Sequence, residues 1–128
     1  MVLVQSAALA ACVILGALAV FQVALLAGAP WGRLAWGGQH RVLPRKLRIG
    51  SAVSVGLYAA FGYVALGKAG LVAPLGGTAF TTVAAWVLAG YFTLGVAMNA
   101  ISRSKPERFA MTPVALLLAV LYLVLALG

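Results

Sequence analysis

Four uninterrupted apolar stretches decide what this chain can fold into. They run from Leu3 to Ala27, Ile49 to Leu66, Ala79 to Ile101 and Phe109 to Leu127. Each is close to the ~20 helical residues needed to cross a hydrocarbon core about 30 Å thick. Hydrocarbon offers no partner to an exposed peptide group, so a spanning segment must satisfy its own backbone as a helix or within a closed barrel. The alternation of apolar and polar residues that marks a barrel strand is absent. The expected fold is therefore all-α, an antiparallel bundle of four transmembrane helices forming a single domain over residues 1–128. Composition removes the soluble alternatives. Only 8% of the residues are charged and 65% are hydrophobic, against about 25% charged in a soluble domain. A small soluble domain must cover itself with polar side chains, and these are too few. A soluble enzyme, a disordered tail and a disulfide-stapled secreted module are all excluded.

The cations set the orientation. The first loop and its flank hold Arg33, Arg41, Arg45, Lys46 and Arg48, and the third loop holds Arg103, Lys105 and Arg108 with Glu107 as the one acid. Only Lys68 stands on the other side. With four spans these two loops share a face, and the bias places that face in the cytoplasm, both termini outside. A bacterial cytoplasmic membrane is the expected location. Trp31, Trp36, His40 and Phe109 then form an interfacial set, where rings with one polar edge are comfortable. In a soluble protein a net charge of +8 would suggest nucleic acid. Beside apolar spans the same cations are topological, so no nucleic-acid partner is expected. The first stretch lacks a basic leader region and is longer than a usual signal core, so a retained span is expected.

Punctuation marks the ends. Gly28, Ala29 and Pro30 close the first span, and Pro44 precedes the second. Thr112-Pro113 reads as an N-cap followed by a proline at the first helical position, which would start the fourth helix near Thr112. Gly70 to Gly77 reads as a tight turn. Small residues at four-residue spacing, Ala8-Cys12-Gly16 and Ala52-Gly56-Ala60, with Ala85 and Ala89, would let helices approach closely within or between chains.

Chemistry-bearing residues are scarce. No Asp, Glu, Lys, Arg or His lies mid-span, which speaks against a proton-coupled pump. One His, one Cys, one Glu and no Asp fall short of a three- or four-ligand metal site. No metal or cofactor is expected. Gln22 and Asn99, near the basic ends of spans one and three, could line a polar pocket with Ser102. Glu107 is the lone carboxylate among nine cations, and the two short basic loops must cover one bundle end. A salt bridge from Glu107 to Arg48 is expected to tie the two hairpins together, because a paired guanidinium and carboxylate combine charge with parallel hydrogen bonds.

Two loop segments are more particular than topology demands: Gly28-Ala29-Pro30-Trp31-Gly32, and Asn99 followed by Ser102, Ser104 and Glu107. In these the chain resembles a group of small uncharacterised four-span bacterial membrane proteins that share a Gly-Ala-Pro-x-Gly first loop and an Asn-x-x-Ser-x-Ser-x-x-Glu third loop. That resemblance implies the four-span fold and brings no activity.

Three function classes follow. The leading one is a non-enzymatic membrane module, with the bilayer as solvent, that binds a lipophilic small molecule, a lipid or a partner membrane protein in a homo-oligomer or larger complex. The alternative is a dimeric small-molecule transporter or exporter, which calls for a cavity lined by Gln22, Thr81, Thr82 and Asn99. Third is a lipid-modifying enzyme using His40 and Glu107.

Overall fold

A computed structural model describes residues 2–74 and 76–128. Its four long helices are α1 (Val2–Leu26), α2 (Arg45–Lys68), α3 (Thr78–Ala100) and α4 (Lys105–Leu127). All four are long and apolar enough to cross a membrane, and no strand occurs among the described residues. The chain is a multi-pass helical membrane protein. Packing is closest within two hairpins, α1 on α2 and α3 on α4; α1–α4 and α2–α3 contacts close the ring.

Each junction has a local cause. At the end of α1 the Gly28 N–H reaches the Leu25 carbonyl and the Ala29 N–H reaches the Ala24 carbonyl, a Schellman stop made possible by Gly28 at φ +99°. The end of α2 repeats this pattern, the Gly70 N–H donating to the Gly67 carbonyl and the Leu71 N–H to the Leu66 carbonyl. The turn expected over 70–77 follows, with Leu75 outside the described residues. Pro44 sits immediately before α2 in extended backbone. It therefore starts the second helix four residues before the apolar stretch.

The fourth helix differs from expectation. It begins at Lys105, not near Thr112, and Pro113 lies inside it. Ser104 is the N-cap, its Oγ accepting from the Glu107 N–H at 3.4 Å. Ser104-Lys105-Pro106-Glu107 is a Ser-x-x-Glu capping box with a proline in the first turn, a stronger start signal than Thr112-Pro113. Transmembrane helices tolerate an internal proline where neighbouring groups compensate.

The core lies in the half of the bundle away from the basic loops. Ala8, Ala11, Ala65 and Ala85 are fully buried there beside Tyr122 and Leu125. Small side chains bring the backbones together where lipid supplies no hydrophobic drive. The Cys12 thiol points at the Gly62 carbonyl at 3.6 Å, and the Tyr122 hydroxyl donates to the Phe61 carbonyl at 2.6 Å. The stripes divide: Ala8, Ala85 and Ala89 are inside, whereas Ala52, Gly56 and Ala60 face out of the bundle.

Candidate functional site

The first loop is built as a cap over the basic end. Two short 3-10 turns, Gly32–Leu34 and Trp36–Gly38, are closed by the Gly32 N–H on the Arg41 carbonyl at 2.8 Å. Trp36, which opens the second turn, takes a left-handed backbone, φ 54°. This turns its ring back onto α2, where the indole N–H donates to Ser51 Oγ at 3.2 Å. A Cβ on Gly50 would lie 2.7 Å from that ring, so the glycine makes room for it. Trp31 and His40 stay exposed in the same loop. Of the interfacial set, Trp36 is the one hydrogen-bonded to a helix, though it too is 40% exposed.

The third loop fastens to this cap. Ser104 donates its hydroxyl to the Arg33 carbonyl at 2.5 Å. Gly38, at φ +69°, lies so close to Ser104 that a Cβ would run into it. Glu107 is 7% exposed and takes two donors: the Ser102 hydroxyl on one carboxylate oxygen at 2.5 Å, the Gly37 N–H on the other at 3.2 Å. Ser102 Oγ in turn accepts from the Ser104 N–H at 3.2 Å. The Glu of this capping box therefore reaches the cap backbone through a serine, which frees its second oxygen for the opposite loop.

The expected Glu107–Arg48 salt bridge is replaced by these contacts. Arg48 turns to its own loop and donates from Nε to the Leu43 carbonyl at 2.8 Å, its guanidinium lying against Gly28. The reason is geometric. Gly38 has no Cβ to collide with Ser104 and Gly37 takes a positive φ, so the first loop comes close enough for a backbone N–H to reach the carboxylate before a long cation can. The hairpins are tied by Glu107, but to backbone.

Beneath the cap all four helices line a partly open cavity of about 510 Å³. That is within the range of about 300–1,000 Å³ usual for sites that hold small molecules. Its wall is mostly apolar and aromatic, including Leu18, Phe21, Trp36, Tyr58, Tyr91 and Phe92. The polar residues on it are Gln22, Ser54, Asn99 and Glu107 with the two tyrosine hydroxyls. Gln22 and Asn99 are thus brought together with Glu107. Ser102 stands behind the wall, holding the carboxylate. Thr81 and Thr82 are not on it; Thr81 is buried at the other end, bonded to the Thr78 carbonyl. His40 is not on it either.

Two buried side-chain oxygens among the described residues have no hydrogen-bond partner, Thr112 Oγ1 and Gln22 Oε1, and Gln22 is the one on the cavity wall. It is 7% exposed, and its side-chain oxygen is buried with no hydrogen-bond partner. Buried polar atoms are nearly always satisfied, and an unsatisfied one costs about 1–3 kcal/mol. Topology alone places Gln22 at this end but has no means of finding Trp36, Tyr58 or Tyr91 on the same wall. The Ser54-x-x-x-Tyr58 and Tyr91-x-x-x-Gly95 spacings are the signal the sequence offers for them. Comparison with protein-family models, with curated proteins and with solved structures finds no match for this chain.

Proposed function

We propose that this protein is a non-enzymatic membrane module that holds a lipophilic small molecule or lipid in the cavity at its basic end. The observation that carries the reading is Gln22, a cavity-wall residue whose buried side-chain oxygen has no hydrogen-bond partner. In a bilayer no solvent pairs such a group, and a ligand with one polar end supplies what the fold does not. The apolar lining suits a lipophilic ligand. The charge asymmetry supports basic loops in the cytoplasm of a bacterial cell and both termini outside. The Gly-Ala-Pro-x-Gly and Asn-x-x-Ser-x-Ser-x-x-Glu loops fit the group of small four-span bacterial proteins that share them.

Native mass spectrometry of protein released gently from membranes tests this. A defined adduct is expected on the wild type. It should be absent from Ser54→Phe, which puts a ring into the cavity from α2. An adduct-free wild type, or one whose adducts persist unchanged in Ser54→Phe, would contradict it.

A further inference from the structure

The cavity's polar groups are unequally committed, and the inequality specifies the ligand's head. Three of its wall donors are engaged inside the protein: Trp36 Nε1 on Ser51, the Ser54 hydroxyl on the Gly50 carbonyl at 3.0 Å, and one N–H of the Asn99 amide on the Gly95 carbonyl at 2.8 Å. The acceptors are open. Gln22 offers an oxygen with no partner. Asn99, with its nitrogen bound, offers its carbonyl oxygen. Glu107 offers a carboxylate whose two neutral donors leave further lone pairs. The Tyr58 and Tyr91 hydroxyls can act either way.

Among the described residues no cation pairs with the carboxylate, whose partners are the Ser102 hydroxyl and the Gly37 N–H. Six of the eight cations at this end, among them Arg33, Lys46 and Arg103, are exposed. The two half-buried arginines are engaged elsewhere, Arg48 on the Leu43 carbonyl and Arg108 over the Phe109 ring at 5.0 Å. A buried carboxylate without a cation is expensive in a membrane. A cation arriving between aromatic faces would also gain from their ring quadrupoles.

We propose that the cavity selects a lipophile bearing a primary ammonium, whose three N–H donors are received by the carboxylate of Glu107 and the side-chain oxygens of Gln22 and Asn99. The assignment rests on the ligand-binding reading above and gives it a chemical class. An alcohol brings one donor and no charge. A carboxylate would face the like charge of Glu107. Two sources present the same chemistry, a free long-chain amine and the head of an aminophospholipid.

Three probes of one tail length decide it: dodecylamine, protonated at pH 7, dodecanol and dodecanoate. Binding is read from Trp36 fluorescence, with Trp31 and Trp86 changed to Phe, in phosphatidylcholine nanodiscs. Saturable binding should be at least about tenfold tighter for the amine than for the alcohol, and absent for dodecanoate. Glu107→Gln should bring the amine to the level of the alcohol. The ranking in the unaltered cavity needs no folded Glu107 variant, and Gln22→Leu, which should also weaken the amine, is a second check. Replacing a third of the phosphatidylcholine by phosphatidylethanolamine lowers the apparent amine affinity if an aminophospholipid is the natural source and leaves it unchanged if a free amine is; both carry the ammonium. If all three probes give only non-saturable signals that Ser54→Phe leaves alone, the cavity reading fails and takes this assignment with it. If binding is saturable and lost in Ser54→Phe, yet the alcohol or dodecanoate equals the amine, the ammonium alone is wrong.

Discussion

The two halves of this bundle solve the same problem in opposite ways. Away from the basic loops, alanines at helix crossings bring backbones together, and the buried Thr81 and Tyr122 hydroxyls each find a carbonyl. Toward the basic loops the four helices line a cavity whose wall carries larger side chains, and the Gln22 oxygen is left without a partner. Fold stability therefore resides in the closed half. The open half is held apart by its cap, a loop wedged by Trp36 and fastened through Ser104 and Glu107. A bundle that needed only to be stable would close at both ends.

This contrast can be broken or sharpened by substitution. The largest effect belongs to Tyr122→Ala in the closed half, which leaves a cavity among packed helices and should lower stability by about 3–5 kcal/mol, measured by unfolding in mixed micelles. Ala8→Leu should cost about 1–3 kcal/mol by overpacking. Ser54→Phe, a larger addition in the open half, should leave the unfolding midpoint unchanged or raised. Equal losses from Ala8→Leu and Ser54→Phe would mean the halves do not differ.

The cap gives a paired test. Gly37 and Gly38 both have positive φ, +78° and +69°. A Cβ on Gly37 meets open space, whereas one on Gly38 collides with Ser104. Gly37→Ala should show only the left-handed backbone penalty of about 1–2 kcal/mol. Gly38→Ala should exceed it and weaken ligand binding, because the third loop is pushed off the cap. Identical thermal shifts for the pair would dissociate the loops from one another.

Much of this architecture is legible in the sequence because membrane physics is coarse. Length and apolarity alone identify four spans, over 3–27, 49–66, 79–101 and 109–127, each overlapping one of the four long helices, since a peptide in hydrocarbon has so few alternatives. The start of α4 escapes that logic. Thr112-Pro113 gains weight from the apolar run beside it, while Ser104-x-x-Glu107 stands in a charged stretch that reads as loop. The site is legible only as an address. Topology puts Gln22 and Asn99 at one end, but their sharing a wall with Trp36 depends on a left-handed tryptophan, which no propensity forecasts. The partner of Glu107 is hidden for a related reason. Charge counting favours arginine, and the winning donor is a backbone N–H made reachable by two adjacent glycines.

The smallest stability effect is expected at the most informative position. Gln22→Leu removes an unpaired buried oxygen, so it should leave stability unchanged or raise it by up to about 1 kcal/mol, against the usual direction for buried substitutions. A loss above about 1 kcal/mol would show that the glutamine is structural.

The most direct test of the open half compares two tryptophans. Trp36 lies on the cavity wall, and Trp86 lines a shallow groove on the outer face of α3 and α4. Single-tryptophan proteins are prepared in nanodiscs and titrated with 1-bromododecane, whose bromine quenches indole on contact. Trp36 should be quenched along a saturating curve that Ser54→Phe abolishes, while Trp86 should follow the linear dependence of bromoalkane dissolved in the bilayer. Linear quenching of both, unaffected by Ser54→Phe, would contradict a ligand cavity at the basic end.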